Sequence, residues 1–382
     1  MHKIAVVIPK CGLVGGAEQF AAQLTDELSS RQTGTFQVFA NEWQPDSHVS
    51  EFHKIPVISF PKFMTTISFA WFVRQRLPQQ DFSLVHSHER IFGADLYTMH
   101  GVPHRYWVHN VRQKSLSLYD RATAWVEKKL VYEGGCRKFI AVSNLTRDIF
   151  LQEYPVDPRR VAVIHPGVHL PDGNGRDKEE TRLAVRCELG IAADAPVIIF
   201  ASMNFEIKGL DDIIRTLAHL RRQRIVYKLI VAGKGNVKKY QKMAAKEGIA
   251  DSVFFTGVVA KATLVDLYSA SDLYLMLSKF DTFGMVVLEA MAGGLPVMIS
   301  SRVGAKDLVR EGENGFVIDD SSDYDYTASR LKLLLDESIR RKMSAAAFQT
   351  AAQNTWDRVA AKYSDLYDDI LAVKNQGLPK PT

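Results

Sequence analysis

The chain has 382 residues, of which 46% are hydrophobic and 24% charged, and its formal net charge is +5. That length is more than one ordinary core holds and predicts two domains; the composition is that of a globular protein, and no apolar run reaches the roughly 20 residues that span a bilayer. The cysteines Cys11, Cys136 and Cys187 are too far apart for a disulfide framework or a Cys-x-x-Cys metal site and read as isolated thiols in a reducing cytoplasm.

Short apolar runs alternate with amphipathic stretches along the chain. Residues 3–9 read as a strand, too short and too strand-like for a secretory signal. A glycine turn and a helix over about 16–30 follow, then strands at 36–40, 54–60, 83–87, 96–100 and 138–143. A Pro/Gly-rich polar stretch over 165–180 interrupts the series and predicts a linker near 168–182. The pattern restarts with strands at 196–202, 227–232, 252–256, 272–277 and 295–300, with helices between them. An amphipathic helix over 356–372 begins at Trp356, and the tail 376–382 reads as disordered. Repeated strand–helix alternation predicts an α/β fold with parallel sheets covered on both faces. Two such series predict two doubly wound, Rossmann-like domains, 1–170 and 171–355, followed by the terminal segment 356–382.

Ligands of such sheets bind at the carboxyl ends of strands. Gly12, Gly15 and Gly16 follow the first strand, where a turn can bring amides close to a pyrophosphate or sugar; a plain strand-to-helix turn fits them equally. The spacing is neither G-x-G-x-x-G nor a G-x-x-x-x-G-K-[ST] loop, which argues against a nicotinamide or flavin cofactor. His100 ends the run Leu96–Met99 and reads as a contact to a sugar hydroxyl or phosphate, or as a satisfied structural histidine. His86, His88 and His104 raise a metal site, but a strand-end His-x-His is a poor ligand pattern and no metal is expected. Lys208 is placed at the start of a helix continuing through Asp211-Asp212-Ile213-Ile214. An ammonium there opposes the helix dipole, which favours a phosphate-binding role over simple exposure. Asp323-Tyr324-Asp325 has a D-x-D form but reads as a turn and helix cap.

The most specific stretch runs from Asp281 through Phe283-Gly284-Met285 to Glu289. The apolar residues 285–288 and 290–292 predict a buried helix with Glu289 inside it, and a carboxylate there needs a partner. Asp281 falls in the turn that opens the helix, whose free amides suit a phosphate. Two acids eight positions apart can flank one nucleotide-sugar; an N-cap Asp and a surface Glu are the plainer alternative. Residues 100–138 hold eight Lys and Arg against three acids, interleaved with Tyr106, Trp107, Tyr119, Trp125 and Tyr132. That mix suits an anionic membrane surface or a phosphorylated lipid acceptor, and also a solvated helix face. No signature of nucleic-acid binding accompanies it.

Together these residues resemble the retaining GT-B glycosyltransferases of family 4, and within them the lipopolysaccharide-core glucosyltransferases. The resemblance spans nearly the whole chain. It rests on Gly15-Gly16-Ala17-Glu18, Gly93-Ala94-Asp95-Leu96-Tyr97, His100-Gly101, Ala141-Val142-Ser143-Asn144, Ile164-His165-Pro166-Gly167-Val168, Lys208-Gly209-Leu210, Ala232-Gly233-Lys234-Gly235, Phe255-Thr256-Gly257 and Asp281 through Val297. It implies two domains facing a central cleft, with an N-terminal acceptor domain, a C-terminal nucleotide-sugar domain and a last helix crossing back. It implies catalytic roles for Asp281, His100 and Lys208. The donor would be bound by Gly15, Gly16, Lys208, Asp281, Phe283, Gly284, Met285 and Glu289. The family usually carries Glu where Asp281 stands, and many members carry Arg where Met203 stands.

The expected reaction is transfer of a hexose, glucose in the first instance, from a UDP-sugar to a lipopolysaccharide-core or related anionic lipid-linked glycan. No metal and no cofactor are expected, and the expected location is the cytoplasmic face of the inner membrane, held there by segment 100–138. A UDP-sugar 2-epimerase and a non-catalytic, membrane-associated scaffold of the same fold are the competing readings.

Overall fold

The computed structural model describes residues 2–13, 15–44, 51–171 and 177–376. Residues 377–382 of the anticipated tail and 172–176 of the anticipated linker fall outside these residues. The chain divides into two units, Met1–Gly167 with Trp356–Thr382, and Val168–Thr355.

The first unit begins with β1 (Lys3–Val7), β2 (Lys10–Cys11), α1 (Gly16–Ser30), β3 (Thr35–Ala40), β4 (Glu42–Trp43) and β5 (Glu51–Lys54). It continues with α2 (Met64–Arg76), β6 (Leu84–Ser87), β7 (Leu96–Met99), α3 (His104–Tyr106), α4 (Leu118–Glu133), β8 (Lys138–Ala141), α5 (Asn144–Glu153) and β9 (Val161–Val163). The second unit holds α6 (Lys178–Glu188), β10 (Val197–Ser202), α7 (Leu210–Arg222), β11 (Lys228–Gly233), α8 (Val237–Lys246), β12 (Val253–Gly257) and α9 (Lys261–Ala270). After them come β13 (Leu273–Met276), α10 (Met285–Ala292), β14 (Val297–Ser300), β15 (Gly315–Ile318), α11 (Tyr324–Leu335) and α12 (Glu337–Ala352). Helix α13 (Trp356–Asn375) returns to the first unit.

Among the described residues each unit is built on one main parallel sheet, and the first unit adds the two-stranded parallel pair β2–β4. The order of the main sheet is β5-β3-β1-β6-β7-β8-β9 in the first unit and β12-β11-β10-β13-β14-β15 in the second. The central strands are buried on both faces: all six residues of β10 and all four of β13 are buried. That is why they read as unbroken apolar runs rather than alternations. In each sheet the chain leaves the starting strand in one direction and later returns to its other side. The reversal falls between β1 and β6 in the first unit, and between β10 and β13 in the second. Loops leaving the two strands at such a point diverge and open a crevice at the carboxyl ends.

Several sequence expectations are corrected in detail. The strand placed at 54–60 is β5 at Glu51–Lys54; Pro56 has no amide hydrogen to continue the ladder. β9 and β15, three and four residues long, were not anticipated. Asp323 caps α11 by accepting from the Tyr326 amide, so the D-x-D stretch is a helix start. Cys11 and Cys136 are buried, Cys187 is exposed, and all three are free thiols.

Helix α13 buries Trp356, Val359, Ala360, Tyr363, Tyr367, Ile370 and Leu371, a stripe at helical spacing. Gly167 admits it: a Cβ there would lie 2.6 Å from Trp356 Cα.

Candidate active site

In the second unit the loops after β10 and β13 are locked together. Lys279 N donates to Ile207 O at 2.8 Å, Ser278 Oγ to the same carbonyl at 3.1 Å, and Lys279 Nζ pairs with Asp211 at 3.4 Å. Gly209 makes the approach possible. It has φ of 77°, and a Cβ there would stand 1.9 Å from Leu277 O. The side chains these loops carry forward meet: Lys208 Nζ donates to Asp281 Oδ2 in a largely buried ion pair. The two residues assigned from sequence to phosphate and sugar thus bracket the point where the strand order reverses.

Lys208 does not lie in the first turn of a helix. Its amide donates to Asn204 O at 3.1 Å in a turn, Gly209 is the N-cap, and α7 starts at Leu210. Lys208 thus precedes the N-cap and is not the first-turn residue expected from sequence, although it still stands at the positive end of α7. Asp281 is not an N-cap either. That position belongs to Gly284, with φ of 93° and no side-chain cap on α10. Asp281 Oδ1 instead accepts from Phe283 N at 3.3 Å. Backbone bonds from Asp281 N to Arg302 O (2.9 Å), Gly304 N to Asp281 O (3.0 Å) and Ala305 N to Phe283 O (2.7 Å) fix the turn. Met285 opens α10 and is half-buried. Both α7 and α10 thus start at a left-handed glycine, and no side chain caps either.

Glu289 lies on α10, half-buried among Val287, Leu288, Ala290 and Met291. Among the described residues its carboxylate has no hydrogen-bond partner. Burial pushes its carboxyl above the usual range, and the Lys261 ammonium only partly offsets this. Sequence reasoning missed Tyr274, whose hydroxyl donates to Ala201 O at 3.3 Å. Burial raises its ionisation well above normal, and the charges of Asp281 and Glu289 add to the effect, so both acids lie around this one residue. A tyrosine inside an apolar strand was the available signal. Arg186 was also missed. It is 1% exposed and pairs with Asp272 at 2.9 Å, which in turn accepts from the Val197 amide at 2.7 Å and so ties the starts of β10 and β13 together.

His100, Gly15 and Gly16 belong to the first unit. Among the described residues Gly15 is the N-cap of α1 without a side-chain cap, and a Cβ on Gly16 would meet nothing within 4 Å. His100 follows β7 with its Nε2 3.0 Å from His88 Nδ1 and its ring edge-on to Phe20. The histidines weighed as metal ligands are engaged otherwise: His86 with Tyr367 OH at 2.7 Å and Thr98 Oγ1 at 2.8 Å, and His104 with Asp120 at 2.9 Å. Among the described residues no three His, Cys, Asp or Glu side chains converge as a metal site.

In segment 100–138 the acids Asp120 and Glu127 are structural. Glu127 is buried and accepts from Arg90 Nε (2.7 Å), His104 N (2.8 Å) and Tyr154 OH (2.9 Å). The bases Arg105, Arg112, Lys114, Arg121 and Lys128 are exposed, as are Leu118, Trp125 and Tyr132. Arg105, Arg121, Lys128, Trp125 and Tyr132 line a cavity of about 480 Å³. No helix among the described residues is long and apolar enough to cross a membrane.

Known proteins share this architecture. The structure of WaaG, a glycosyltransferase involved in lipopolysaccharide biosynthesis, superposes with a TM-score of 0.78 at 22% identity, over 95% of this chain and 99% of that one. Anabaena Alr3699/HepE in complex with UDP-glucose superposes at 0.71 and 18% identity, over 97% and 100%. The fold is therefore that of the GT-B glycosyltransferases, with two parallel-sheet α/β domains. The family model for glycosyl transferases group 1 matches residues 182–350, and that for glycosyltransferase family 4 matches 14–171. The D-inositol 3-phosphate glycosyltransferase of Streptomyces scabiei (strain 87.22) is 31% identical over 307 residues, 75% of this chain and 68% of its own. The chain belongs to the group 1 glycosyltransferases.

Proposed function

We propose that this glycosyltransferase moves a hexose, glucose in the first instance, from a UDP-sugar to an anionic, hydroxyl-rich acceptor with retention at the anomeric carbon. The observation that carries the reading is the Lys208–Asp281 pair at the strand reversal of the second unit, with an unbonded Glu289 on the helix that follows. Glu289 takes the ribose diol, whose two hydroxyls supply the donors its carboxylate lacks. The diphosphate takes Lys208 and the amides that open α7 and α10, including those at Gly284 and Met285, and the Phe283 amide once it gives up Asp281 Oδ1. Binding the diphosphate withdraws the ammonium from Asp281, which then accepts from hydroxyls of the hexose. From the first unit the resemblance adds His100 for the transferred sugar and Gly15 and Gly16 for the donor.

The bond between the anomeric carbon and the phosphate oxygen breaks, its electron pair staying on the diphosphate. The acceptor oxygen attacks the same face, and its proton passes to the leaving phosphate oxygen. Lys208 and the helix amides stabilise the growing phosphate charge, so this route calls for no metal and no cofactor. HepE was solved with UDP-glucose, which supports the donor class.

For the acceptor we favour a lipopolysaccharide-core or related lipid-linked glycan. The exposed bases and aromatics of segment 100–138 would hold the enzyme on the anionic cytoplasmic face of the inner membrane. A second reading, a soluble inositol phosphate, is favoured by the names of the sequence relatives. Both acceptors are phosphorylated polyols, and the basic cavity around Arg105, Arg121 and Lys128 suits either.

Saturation-transfer NMR against UDP-glucose, UDP-galactose, UDP-N-acetylglucosamine, ADP-glucose and GDP-mannose identifies the donor. Turnover is then compared on vesicle-borne core glycolipid and on inositol phosphate. Binding of one UDP-sugar, lost in Glu289→Ala, and turnover reduced by about 10²–10³ in Lys208→Ala are expected. Full activity in either variant would sink the assignment. A folded protein that binds no nucleotide-sugar and hydrolyses none would favour the non-catalytic scaffold.

A further inference from the structure

His88 is 5% exposed and its Nδ1 is 3.0 Å from His100 Nε2, while its own Nε2 is buried with no hydrogen-bond partner among the described residues. Its ring is fixed from both sides. His86 lies 4.1 Å away between centroids, and His100 stacks at 5.2 Å with an interplanar angle of 20°. His86 in turn is held by Tyr367 and Thr98, and Thr98 Oγ1 lies 3.0 Å from Tyr363 OH. This stack carries no charge: burial lowers the ionisation of all three imidazoles, that of His86 and His100 to about 3.

A neutral imidazole has one N–H and one lone pair, and the nitrogen-to-nitrogen contact needs a single proton. If His100 supplied it from Nε2, the proton of His88 would sit on its buried, partnerless Nε2. An orphaned buried N–H is among the rarest features of folded proteins, whereas an under-used acceptor is tolerated more often. The reverse arrangement leaves only a bare lone pair at His88 Nε2. His88 Nδ1–H then donates to His100 Nε2, and the proton of His100 resides on Nδ1.

We propose that His88 is a positioning residue that holds His100 in the Nδ1-protonated tautomer, so that His100 meets its sugar ligand as a hydrogen-bond donor and not as a base. The proposal rests on the assignment of His100 to the transferred sugar made above. It accounts for a histidine at the end of β7 in a mechanism whose acceptor proton leaves on phosphate: a donor to a sugar oxygen orients the hexose without competing for that proton. It also gives the His86-x-His88 pair a role that involves no metal.

The test is the imidazole nitrogen spectrum of ¹⁵N-histidine-labelled, full-length protein, recorded without substrate on wild type, His88→Leu and His88→Asn. Asn offers an amide donor near the place of Nδ1; Leu offers none. Wild type and His88→Asn are expected to show His100 protonated on Nδ1, and His88→Leu to move His100 toward the Nε2-protonated form. With the donor identified, kcat of His88→Leu should fall about 10–100-fold with little change in donor KM, and His88→Asn should recover most of it. A wild-type His100 protonated on Nε2 overturns the proposal, as does an unchanged tautomer in His88→Leu. If His88→Leu does not fold, wild type and His88→Asn decide alone. Full turnover in His100→Ala would remove His100 from the reaction while leaving the tautomer result intact, so the two failures are distinguishable.

Discussion

Glu289 is a carboxylate whose burial favours its neutral form, with only the Lys261 charge working against this. Its affinity for a ribose diol should therefore depend on pH in the acid range. Its carboxyl ionises above the ordinary value of 4.5, so the charged, accepting form is complete only well above that value and is lost as pH falls through the raised pKa. The dissociation constant of the nucleotide-sugar is expected to rise on acidification in wild type. In Glu289→Gln it should be weak throughout and without that dependence; a titration by calorimetry from pH 7.5 downward reads this, and parallel curves for the two proteins would refute it. Asp281 and Glu289 were nominated from the sequence because two acids stand eight positions apart, the second inside an apolar run. The Lys208–Asp281 pairing was not, because 73 positions separate the partners along the chain.

At the scale of elements, the site depends on two loops approaching closer than side chains allow. Gly209 occupies left-handed backbone with Leu277 O where a Cβ would be. Gly209→Ala should cost about 2 kcal/mol or more, as strain and clash act together. Because the displaced loops carry Lys208 and Asp281, donor binding should weaken along with stability. Gly190→Ala is the control, since φ is 66° there but nothing lies within 4 Å; it should lose stability through strain alone and keep donor binding. Denaturant unfolding and donor titration of both variants check this, and equal losses of binding would count against the loop-approach argument. The strands at 3–9, 36–40, 196–202, 227–232 and 252–256 and the helix over 16–30 were placed from pattern to within two residues, and the terminal helix to within three. β9 and β15 were not anticipated from pattern.

At the scale of the molecule, helix α13 comes from the far end of the chain to supply Tyr363 and Tyr367 to the buried histidines of the first unit. The histidine stack makes this unit acid-labile. His86 ionises near its ordinary 6.5 when unfolded and at about 3 in the native state. Between those values the unfolded chain binds a proton that the native protein refuses, and stability falls as pH drops through the window. His86→Gln should therefore show a stability-versus-pH slope between pH 4 and 6 that is shallower than wild type by on the order of 1 kcal/mol per pH unit. Guanidinium denaturation across that range measures it, and identical slopes would mean that His86 is protonated in the native protein.

The sequence by itself determined the α/β class and the two doubly wound sheets, and it nominated the residues of the candidate site. All of these are written in local order: in the period of apolar residues, in glycines after strands and in acids set among hydrophobic neighbours. Only the tertiary structure decided which of those residues touch. Lys208 against Asp281, His88 against His100, and Glu127 gathering three donors are contacts between positions distant in sequence. They are made by sheet order and by glycines that let backbones close, and nothing in local pattern encodes either.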